Sequence, residues 1–348
     1  MSKLPTRREA LRYITVRRRL DRLLSLVRGH KEMIVLTHND PDPDSIASSW
    51  GIAWLLEKTT HAHCEILYGG LIGRAENRAM VELLGAPLKP ADPSALDAGK
   101  PVILVDTQPG TGNNLLPPSV VPLAVIDHHP ANPNTEQVAY RDVQTRLGAT
   151  ATLVTRYLWA LDLVPPTALA TALFYGIKTD TLGLSRSATR ADALAYLYLH
   201  ERADLSTIAK IERAHLSRAY FAVMGRALRG ARIYGDVVVS TLGEMQHADM
   251  AAEVADLLAR LKNIRWVLCV GTYSGTLILS LRTNDPDLNA GLVIQELVSS
   301  PGQAGGHTLM AGGRIPYSGG RRVAQQTIVA RFIEIMGLSA TPEERLLA

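Results

Sequence analysis

The sequence predicts an α/β protein with a doubly wound parallel sheet in an N-terminal domain and a smaller mixed α/β C-terminal domain, joined by a helical connector. Apolar runs of strand length alternate with helical patterns over the first half of the chain. A helical stretch poor in Gly and Pro follows, and the alternation then restarts. The length of 348 residues suits two domains. We expect the domains at 1–190 and 235–340, with the connector at 191–234.

The first element is predicted to be a helix over 6–28, because Thr6 and Glu9 match the capping-box pattern. An arginine cluster on this helix is interpreted as a solvated face, in preference to a contact with nucleic acid. The cluster consists of Arg17, Arg18, Arg19 and Arg22.

Hydrophobic periodicity and turn residues predict the remaining elements. In the N-terminal domain we expect strands at 33–37, 64–68, 101–106 and 122–126, and helices at 46–56, 77–84, 148–161 and 167–177. The connector is mostly helical. In the C-terminal domain we expect strands at 236–242, 265–273 and 276–283, helices at 250–261, 289–298 and 321–336, and a glycine-rich loop at 302–313.

Composition excludes several classes of protein. Apolar residues are 47% and charged residues 20% of the chain, so it can bury full cores, and a net charge of +4 is too small to predict stable binding of duplex DNA. Cys64 and Cys269 lie inside separate predicted strands, which excludes a disulfide framework and a zinc site.

The N-terminus lacks an apolar signal region, and no apolar run is long enough for a membrane span. We therefore expect a soluble, cytoplasmic protein without a membrane partner.

Asp and His side chains follow or end several of the apolar runs. They occur in 38–44, at Asp106, in 127–129 and at Asp180. Ligands of open parallel sheets gather beyond the carboxyl ends of the strands, so these groups should meet at one edge. Carboxylates and imidazoles without a thiolate favour Mn²⁺ or a similar octahedral ion over structural zinc. Asp106 is alone on its strand end, which makes it the natural bridge between two ions about 3.5–4 Å apart.

Two rival interpretations of the Asp-rich loop are weaker. Asp40, Asp42 and Asp44 alternate like the start of a calcium loop, but two prolines stiffen it and the twelfth position is Gly51 where a Glu is needed. A phosphate-cradling Walker loop is absent from the sequence.

The order His-x-x-x-Asp-x-Asp, then a lone Asp, then Asp-His-His, then Asp resembles the four motifs of the DHH phosphoesterase family, over about residues 32–190. The resemblance implies two divalent ions, Mn²⁺ first, with Co²⁺ or Mg²⁺ as alternatives. It implies one ion held by His38, Asp42 and Asp106, and another held by Asp44, Asp106, His128 and Asp180. His129 would face the substrate and act in catalysis with Asp106, and Asp127 would hold an imidazole. Asp40 stands where the family is variable and is left out of the ligand set.

The C-terminal half resembles the DHH-associated domain of the nuclease-like branch of that family. The matching segments are Ser280-Leu281-Arg282-Thr283, Ala304-Gly305-Gly306-His307 and Ala311-Gly312-Gly313. Ala304 replaces the first of three glycines, and we expect only a slight change in the loop. Glycine lets backbone N–H groups approach an anion, and Arg282 offers a planar fork to a phosphate. We therefore expect Arg282, Gly305, Gly306 and His307 to bind substrate.

Two further polar residues, Arg74 and Asn77, follow the second predicted strand and point to the same edge. Substrate placement and an ordinary helix N-terminus are equally good interpretations of this pair. Thr189 and Asp192 match a helix cap better than a catalytic site.

The resemblance implies a Mn²⁺-dependent phosphodiesterase that hydrolyses short oligoribonucleotides (nanoRNA) or linear dinucleotides such as pApA and pGpG to mononucleotides, through water activated by two metals. A phosphatase on 3′-phosphoadenosine 5′-phosphate and a cyclic-dinucleotide phosphodiesterase are alternatives. A pyrophosphatase or polyphosphatase ranks lower, because its C-terminal domain should carry Lys or Arg clusters in place of Gly-Gly-His. A non-catalytic nucleotide-binding regulator has no need of a complete ligand set. The sequence is compatible with a homodimer.

Overall fold

The computed structural model describes residues 7–92, 96, 99–298, 301–306, 308–339, 341–342 and 344–347, and the side chains of 7–13 lie outside this description. The chain divides into two compact units, Met1–Ala214 and His215–Ala348. The predicted fold class is confirmed, since a parallel sheet with helices forms the first unit and a mixed sheet forms the second.

The strands of the first unit are β1 (Glu32–Leu36), β2 (His63–Tyr68), β3 (Leu88–Pro90), β4 (Val102–Val105), β5 (Ala124–Asp127) and β6 (Tyr140–Val143). Its helices are α1 (Arg7–Val27), α2 (Pro43–Thr60), α3 (Ala75–Leu84), α4 (Thr150–Ala160), α5 (Thr167–Asp180), α6 (Arg190–His200) and α7 (Leu205–Glu212). All strand pairs in this sheet are parallel, in the order β3-β2-β1-β4-β5-β6. The short edge strands β3 and β6 were missing from the sequence prediction. β3 ends in a proline, which an edge strand tolerates but which conceals it in a sequence.

Both faces of this sheet are buried. Along β1, Met33 and Val35 pack into one core cluster while Ile34 and Leu36 pack into another on the opposite face. Such strands read as continuous apolar runs, because side chains point alternately to two covered faces. The chain leaves β1 toward β2 and β3 on one side and returns to place β4, β5 and β6 on the other. The reversal point between β1 and β4 is where open sheets of this kind bind ligands.

The arginines of α1 attach the helix to the domain. Arg19 Nη1 pairs with the buried Asp142 at 2.8 Å, while Arg17 and Arg22 donate to the carbonyl oxygens of Ala160 and Ala139. The interpretation of this cluster as a solvated face holds for Arg17, Arg18 and Arg22, which are exposed, although three of the four arginines also contact the rest of the domain. A helical pattern places charges on a face but does not show which acceptors that face meets.

The stretch predicted as a connector is divided between the two units. Helices α6 and α7 lie in the first unit, and α8 (Arg218–Gly230) lies in the second. The predicted helix cap before α6 is confirmed: the backbone N–H of Thr189 donates to Asp192 at 2.7 Å.

The second unit contains α8, α9 (Met250–Leu258), α10 (Ala290–Leu297) and α11 (Arg321–Ile335), with strands β7 (Arg232–Tyr234), β8 (Val237–Glu244), β9 (Trp266–Tyr273), β10 (Thr276–Thr283), β11 (Gln303–Gly306), β12 (Met310–Pro316) and β13 (Glu344–Arg345). They form a mixed sheet in the order β11-β12-β10-β9-β8-β7-β13. The glycine-rich stretch predicted as a loop is instead mostly the antiparallel pair β11–β12. A Cβ at Gly306 would lie 2.4 Å from the carbonyl oxygen of Met310, so the two strands approach too closely for a side chain.

Both cysteines are buried and free, as their predicted strand positions imply. Within the described part of the chain, every helix is too short or too polar to cross a membrane.

Candidate metal centre

The polar groups predicted at strand ends meet at the carboxyl edge of the first sheet. Asp42 caps the N-terminus of α2, where its Oδ1 accepts the backbone N–H of Ser45 at 2.9 Å. Asp106 follows β4, and His128 and His129 follow β5. Asp180 is the last residue of α5. Because β1 and β4 flank the point where the strand order reverses, these groups lie where ligands bind in open α/β sheets.

Three groups of side chains bring their ligand atoms within 4.8 Å of one another: His38, Asp42 and Asp106; Asp44, His128 and Asp180; and Asp106, His128 and His129. Asp106 belongs to two of the three groups, and so does His128. The first two groups contain every residue predicted as a metal ligand, divided as the family resemblance implies except that Asp106 joins only the first of them. Their role as ligands remains a prediction.

Asp106 lies between the two histidines of these groups. Its Oδ2 is 3.6 Å from Nε2 of His38, and its Oδ1 is 3.7 Å from Nε2 of His128. The residue is buried and adopts the left-handed conformation with φ 60°, which Asp tolerates better than most residues. The turn directs one carboxylate oxygen to each side, as a bridging ligand requires.

The imidazoles of His38 and His128 are oriented in the same way. Nδ1 of His38 lies 2.9 Å from the carbonyl oxygen of Asn39, and Nδ1 of His128 lies 3.2 Å from that of Leu147. Each Nδ1 must donate to its carbonyl, which leaves Nε2 on the side of the carboxylates, where it can bind an ion once it has lost its proton. Metal-ligating histidines are held in this manner by a second hydrogen bond.

His129 is held differently from its neighbour. Its Nδ1 lies 2.8 Å from Oδ1 of Asp127, which also accepts the backbone N–H groups of His128 and His129. The side chain of His129 is 40% exposed, against 14% for His128. Asp127 thus holds an imidazole, and that imidazole is the most open one at the edge.

Sequence reasoning missed Gln108, which is buried beside this pair. Its Nε2 donates to Oδ2 of Asp127 at 2.6 Å, and its Oε1 accepts from the backbone of Asn132 and the hydroxyl of Thr135. Gln108 therefore fixes the carboxylate that fixes His129. Its position two residues after Asp106 is the only signal of this role in the sequence.

Asp44 lies against the N-terminus of α4. Its two carboxylate oxygens accept the backbone N–H groups of Thr150 and Ala151 at 2.7 and 2.8 Å. The first turn of a helix has unpaired N–H groups and a positive field, which stabilise a carboxylate there. This contact anchors a fully buried acid that has a carboxylate oxygen within 4.8 Å of ligand atoms of His128 and Asp180.

Electrostatics show how the metal-free chain balances these charges. Burial lowers the pKa of the His38 imidazole, but the carboxylates of Asp106 and Asp42 raise that pKa by more, so it stays well above its usual range. For His128, burial is likewise outweighed by Asp180 and Asp106, and its pKa is also raised well above normal. Protons on the imidazoles therefore supply the positive charge that the acids need.

The acids respond according to their neighbours. Burial and the charges of Asp106 and Asp180 raise the pKa of Asp44 well above its usual range, and burial raises the pKa of Asp180 despite nearby His128. Burial also acts on Asp127, but hydrogen bonds from His129 and Gln108 lower its pKa to about 2.

One buried nitrogen atom shows that the site suits a divalent ion as a bonding partner. Among the residues that the structure describes, Nε2 of His128 finds no hydrogen-bond partner, although Oδ2 of Asp180 lies 3.3 Å away. A buried polar atom without a hydrogen bond is costly, and a metal ion would satisfy it. The donors are carboxylates and imidazoles without a thiolate, which suits octahedral divalent ions.

The residues predicted to bind substrate in the first unit have structural contacts. Asn77 is buried and donates through Nδ2 to the carbonyl oxygen of Pro41 at 3.2 Å, which supports the Asp-rich loop. Arg74 is half-buried at the N-cap of α3. Asp40 accepts the backbone N–H of Leu71 at 2.9 Å, a structural contact that agrees with its omission from the ligand set.

In the second unit, the guanidinium of Arg282 forms hydrogen bonds within its own domain. Its Nε donates to Oδ1 of Asp256 at 2.6 Å, and its Nη1 donates to the hydroxyl of Ser280. Gly305 and Gly306 are exposed on the edge strand β11. His307, which was predicted to contact substrate, lies outside the described residues.

Residues 32–177 match the DHH family, N-terminal domain, and residues 235–334 match the DHHA1 domain. The chain belongs to the DHH phosphoesterase family. The DHH match contains all the predicted ligands except Asp180, which lies just beyond its end. The DHHA1 match contains Arg282, Gly305 and Gly306.

Two relatives of this DHH protein span most of it. An uncharacterized protein of Methanocaldococcus jannaschii is 32% identical over 317 residues, which are 88% of this chain and 64% of that protein. This chain therefore spans less than two thirds of the length of the Methanocaldococcus jannaschii protein. A probable manganese-dependent inorganic pyrophosphatase of Streptococcus pyogenes is 25% identical over 252 residues, 66% of this chain and 78% of that protein.

A solved structure supports the DHH fold. The crystal structure of an exopolyphosphatase-related protein from Bacteroides fragilis aligns with a TM-score of 0.70 over 91% of this chain and 96% of that chain. The two sequences are 14% identical, so this likeness concerns the fold alone.

Proposed function

We propose that this chain is a metal-dependent phosphoesterase that hydrolyses phosphodiester bonds in short oligoribonucleotides or linear dinucleotides and releases mononucleotides. The observation that carries the proposal is the position of Asp106, whose two carboxylate oxygens lie 3.6 and 3.7 Å from the Nε2 atoms of His38 and His128. Such a carboxylate between two ligand groups suits a pair of divalent ions about 3.5–4 Å apart.

Each side of Asp106 would hold one ion. His38 and Asp42 complete one side, and Asp44, His128 and Asp180 complete the other. When bound, the ions would supply an activated water molecule and positive charge at the phosphoryl oxygens. Mn²⁺ is the proposed metal, because the donor set suits it and the pyrophosphatase relative is named as manganese-dependent.

The other residues at the edge of the sheet would bind the substrate or orient the groups that contact it. Asp127 and Gln108 would hold the ring of His129 toward the open side of the site, where its imidazole can donate to a phosphate oxygen. Gly305, Gly306 and Arg282 are proposed to contact the rest of the substrate. The nucleotide substrate is favoured by the DHHA1 match, since that domain carries the Arg and Gly-Gly segments that suit a phosphate.

Short substrates are favoured over long ones by composition. A protein that binds extended single strands needs a basic track with stacking aromatics. Here aromatic residues are 5% of the chain and the net charge is +4. We expect kcat/KM to be highest on di- to tetranucleotides and to fall on longer oligomers. The cytoplasmic location and the homodimer remain predictions.

A second candidate is hydrolysis of inorganic pyrophosphate or polyphosphate. The Streptococcus pyogenes relative favours it, since its name carries this activity and the similarity covers 66% of this chain. The same metal centre would serve both candidates, because both reactions are attacks of water on a phosphoryl group.

A substrate panel with Mn²⁺ separates the candidates. It contains pApA, pGpG, longer oligomers, cyclic dinucleotides, 3′-phosphoadenosine 5′-phosphate and pyrophosphate. The proposal expects the linear dinucleotides to give the highest kcat/KM. A kcat/KM on pyrophosphate above every nucleotide would select the second candidate, and a cyclic dinucleotide in first place would select the cyclic-dinucleotide alternative.

The matched control for every substrate is Asp106→Asn, which keeps the shape of the side chain and removes its charge. It should abolish turnover and lower the content of both ions by elemental analysis. Turnover that survives in Asp106→Asn would contradict the role of Asp106 in catalysis. Full occupancy by both ions in this variant would contradict the bridging role.

A further inference from the structure

Thr150, the first residue of α4, contacts two of the predicted metal ligands at once. Its hydroxyl donates to Oδ1 of Asp106 at 2.7 Å, and its backbone N–H donates to Oδ2 of Asp44 at 2.7 Å. Its side chain is fully buried. Sequence reasoning did not single it out, because α4 carries three threonines and nothing in the sequence shows which of them meets an acid from another element.

The hydroxyl selects one of the two oxygens of Asp106. It binds Oδ1, which lies on the side of His128, and leaves Oδ2 to the side of His38. A carboxylate oxygen has two lone pairs, so one hydrogen bond leaves the other free for an ion.

We propose that Thr150 is a positioning residue of the metal centre, whose hydroxyl fixes Oδ1 of Asp106 for the ion on the side of Asp44, His128 and Asp180. This inference rests on the proposed two-ion site. Partners that orient a ligand in this way are typically worth about 10- to 100-fold in metal affinity. The effect should fall on one ion, because the hydroxyl contacts the oxygen of one side.

Thr152 provides a matched control on the same helix. It is also fully buried, and its hydroxyl also donates to a buried carboxylate at 2.7 Å. That carboxylate belongs to Asp192, which caps α6 and lies outside the three metal-binding groups. Loss of either hydroxyl therefore removes a similar buried hydrogen bond, but only Thr150 touches a predicted ligand.

The experiment measures Mn²⁺ binding to the metal-free chain by calorimetry, with the thermal midpoint of unfolding as a second readout. Thr150→Val keeps the shape and the backbone N–H and removes the hydroxyl. Thr150→Ala removes it without any risk of a clash, and Thr150→Ser restores it. Thr152→Val is measured beside them. Steady-state kinetics on a dinucleotide then separate kcat from KM.

We expect the parent chain to bind two Mn²⁺ ions. Thr150→Val and Thr150→Ala should weaken one of the two ions by about tenfold or more and the other by less than about threefold, lower kcat with KM little changed, and recover in Thr150→Ser. Thr152→Val should lower the midpoint of unfolding to a similar extent and leave both Mn²⁺ affinities at the parent values.

Three outcomes would overturn the inference. Two parent-like Mn²⁺ affinities in both Thr150→Val and Thr150→Ala would show that the hydroxyl only packs. An equal loss in Thr152→Val would assign the effect to helix α4 as a whole, and equal losses of both ions would remove the link to Oδ1. A parent chain that binds fewer than two ions would instead reject the proposed two-ion site itself, so the two failures are distinguishable.

Discussion

Nδ1 of His129 lies 2.8 Å from Oδ1 of Asp127, whereas Nδ1 of the adjacent His128 lies 3.2 Å from a backbone carbonyl oxygen. Two neighbouring imidazoles are therefore oriented by different partners. His128 directs Nε2 toward the buried acids, and His129 occupies the more exposed position. Adjacent residues with different surroundings suit different roles, one as a ligand and one toward the substrate.

The first prediction follows from this difference. His129→Ala should retain two Mn²⁺ ions by elemental analysis and lose roughly 10²- to 10⁴-fold in kcat, the usual contribution of a positioned proton donor or acceptor. His128→Ala is the control, and it should lose an ion. If His129→Ala loses the ion and His128→Ala does not, the roles of the two histidines are reversed.

The second prediction concerns pH. In the metal-free chain the pKa values of His38 and His128 are raised above their usual range because nearby carboxylates stabilise the imidazolium. Mn²⁺ must displace these protons, so its affinity should increase as pH rises through and beyond about 6.5, by roughly tenfold per pH unit for each proton displaced. Activity should fall at low pH, and excess Mn²⁺ should partly restore it.

The raised pKa values of His38 and His128 also determine whether the stability of the metal-free chain rises or falls with pH. A raised imidazole pKa stabilises the folded metal-free chain fully below about 6.5, and this contribution disappears as pH rises through the folded-state pKa. The raised pKa of Asp44 acts in the same direction at lower pH. Above about pH 6.5, the midpoint of unfolding without metal should therefore fall as pH rises, while the gain on adding Mn²⁺ should grow. A gain from Mn²⁺ that is independent of pH would contradict proton displacement.

The ends of the strands were predictable because each apolar run stops at a chemically distinct residue. His38 and Asp106 follow runs that both faces of the sheet bury, and a parallel sheet places such ends together. Gln108 and Thr150 were not predictable, because their roles depend on partners that lie 19 and 44 positions away in the chain. The glycine-rich stretch was misjudged since close packing of two strands requires glycine as much as a loop does.

The third prediction uses two neighbouring glycines of β11. A Cβ at Gly305 would meet no atom of the described residues within 4 Å, whereas a Cβ at Gly306 would lie 2.4 Å from Ala311 Cα. Gly305→Ala should leave the midpoint of unfolding unchanged and raise KM for dinucleotides, if substrate approaches this backbone. Gly306→Ala should destabilise the chain by about 1–3 kcal/mol, as overpacking does. An unchanged KM in a stable Gly305→Ala would remove this strand from the substrate site.

The last prediction concerns Arg282, whose side chain is 11% exposed and whose guanidinium is bound by Asp256. A phosphate would have to share this arginine with that carboxylate. Arg282→Ala should therefore raise KM for dinucleotides by roughly tenfold or more, the scale of a charge-assisted hydrogen bond. The rate on bis-p-nitrophenyl phosphate, which needs only the metal centre, should be spared.

Asp256→Asn is the matched control for Arg282, because it keeps the shape of the partner and removes the competing charge. If Arg282 binds substrate, this change should lower KM for dinucleotides, while Arg282→Lys should raise it, since an ammonium cannot reproduce the planar fork. A purely structural ion pair predicts something else: Arg282→Ala and Asp256→Asn would both lower the midpoint of unfolding and would change the rates on both substrates in parallel. The direction of the KM change in Asp256→Asn therefore decides between the two roles of Arg282.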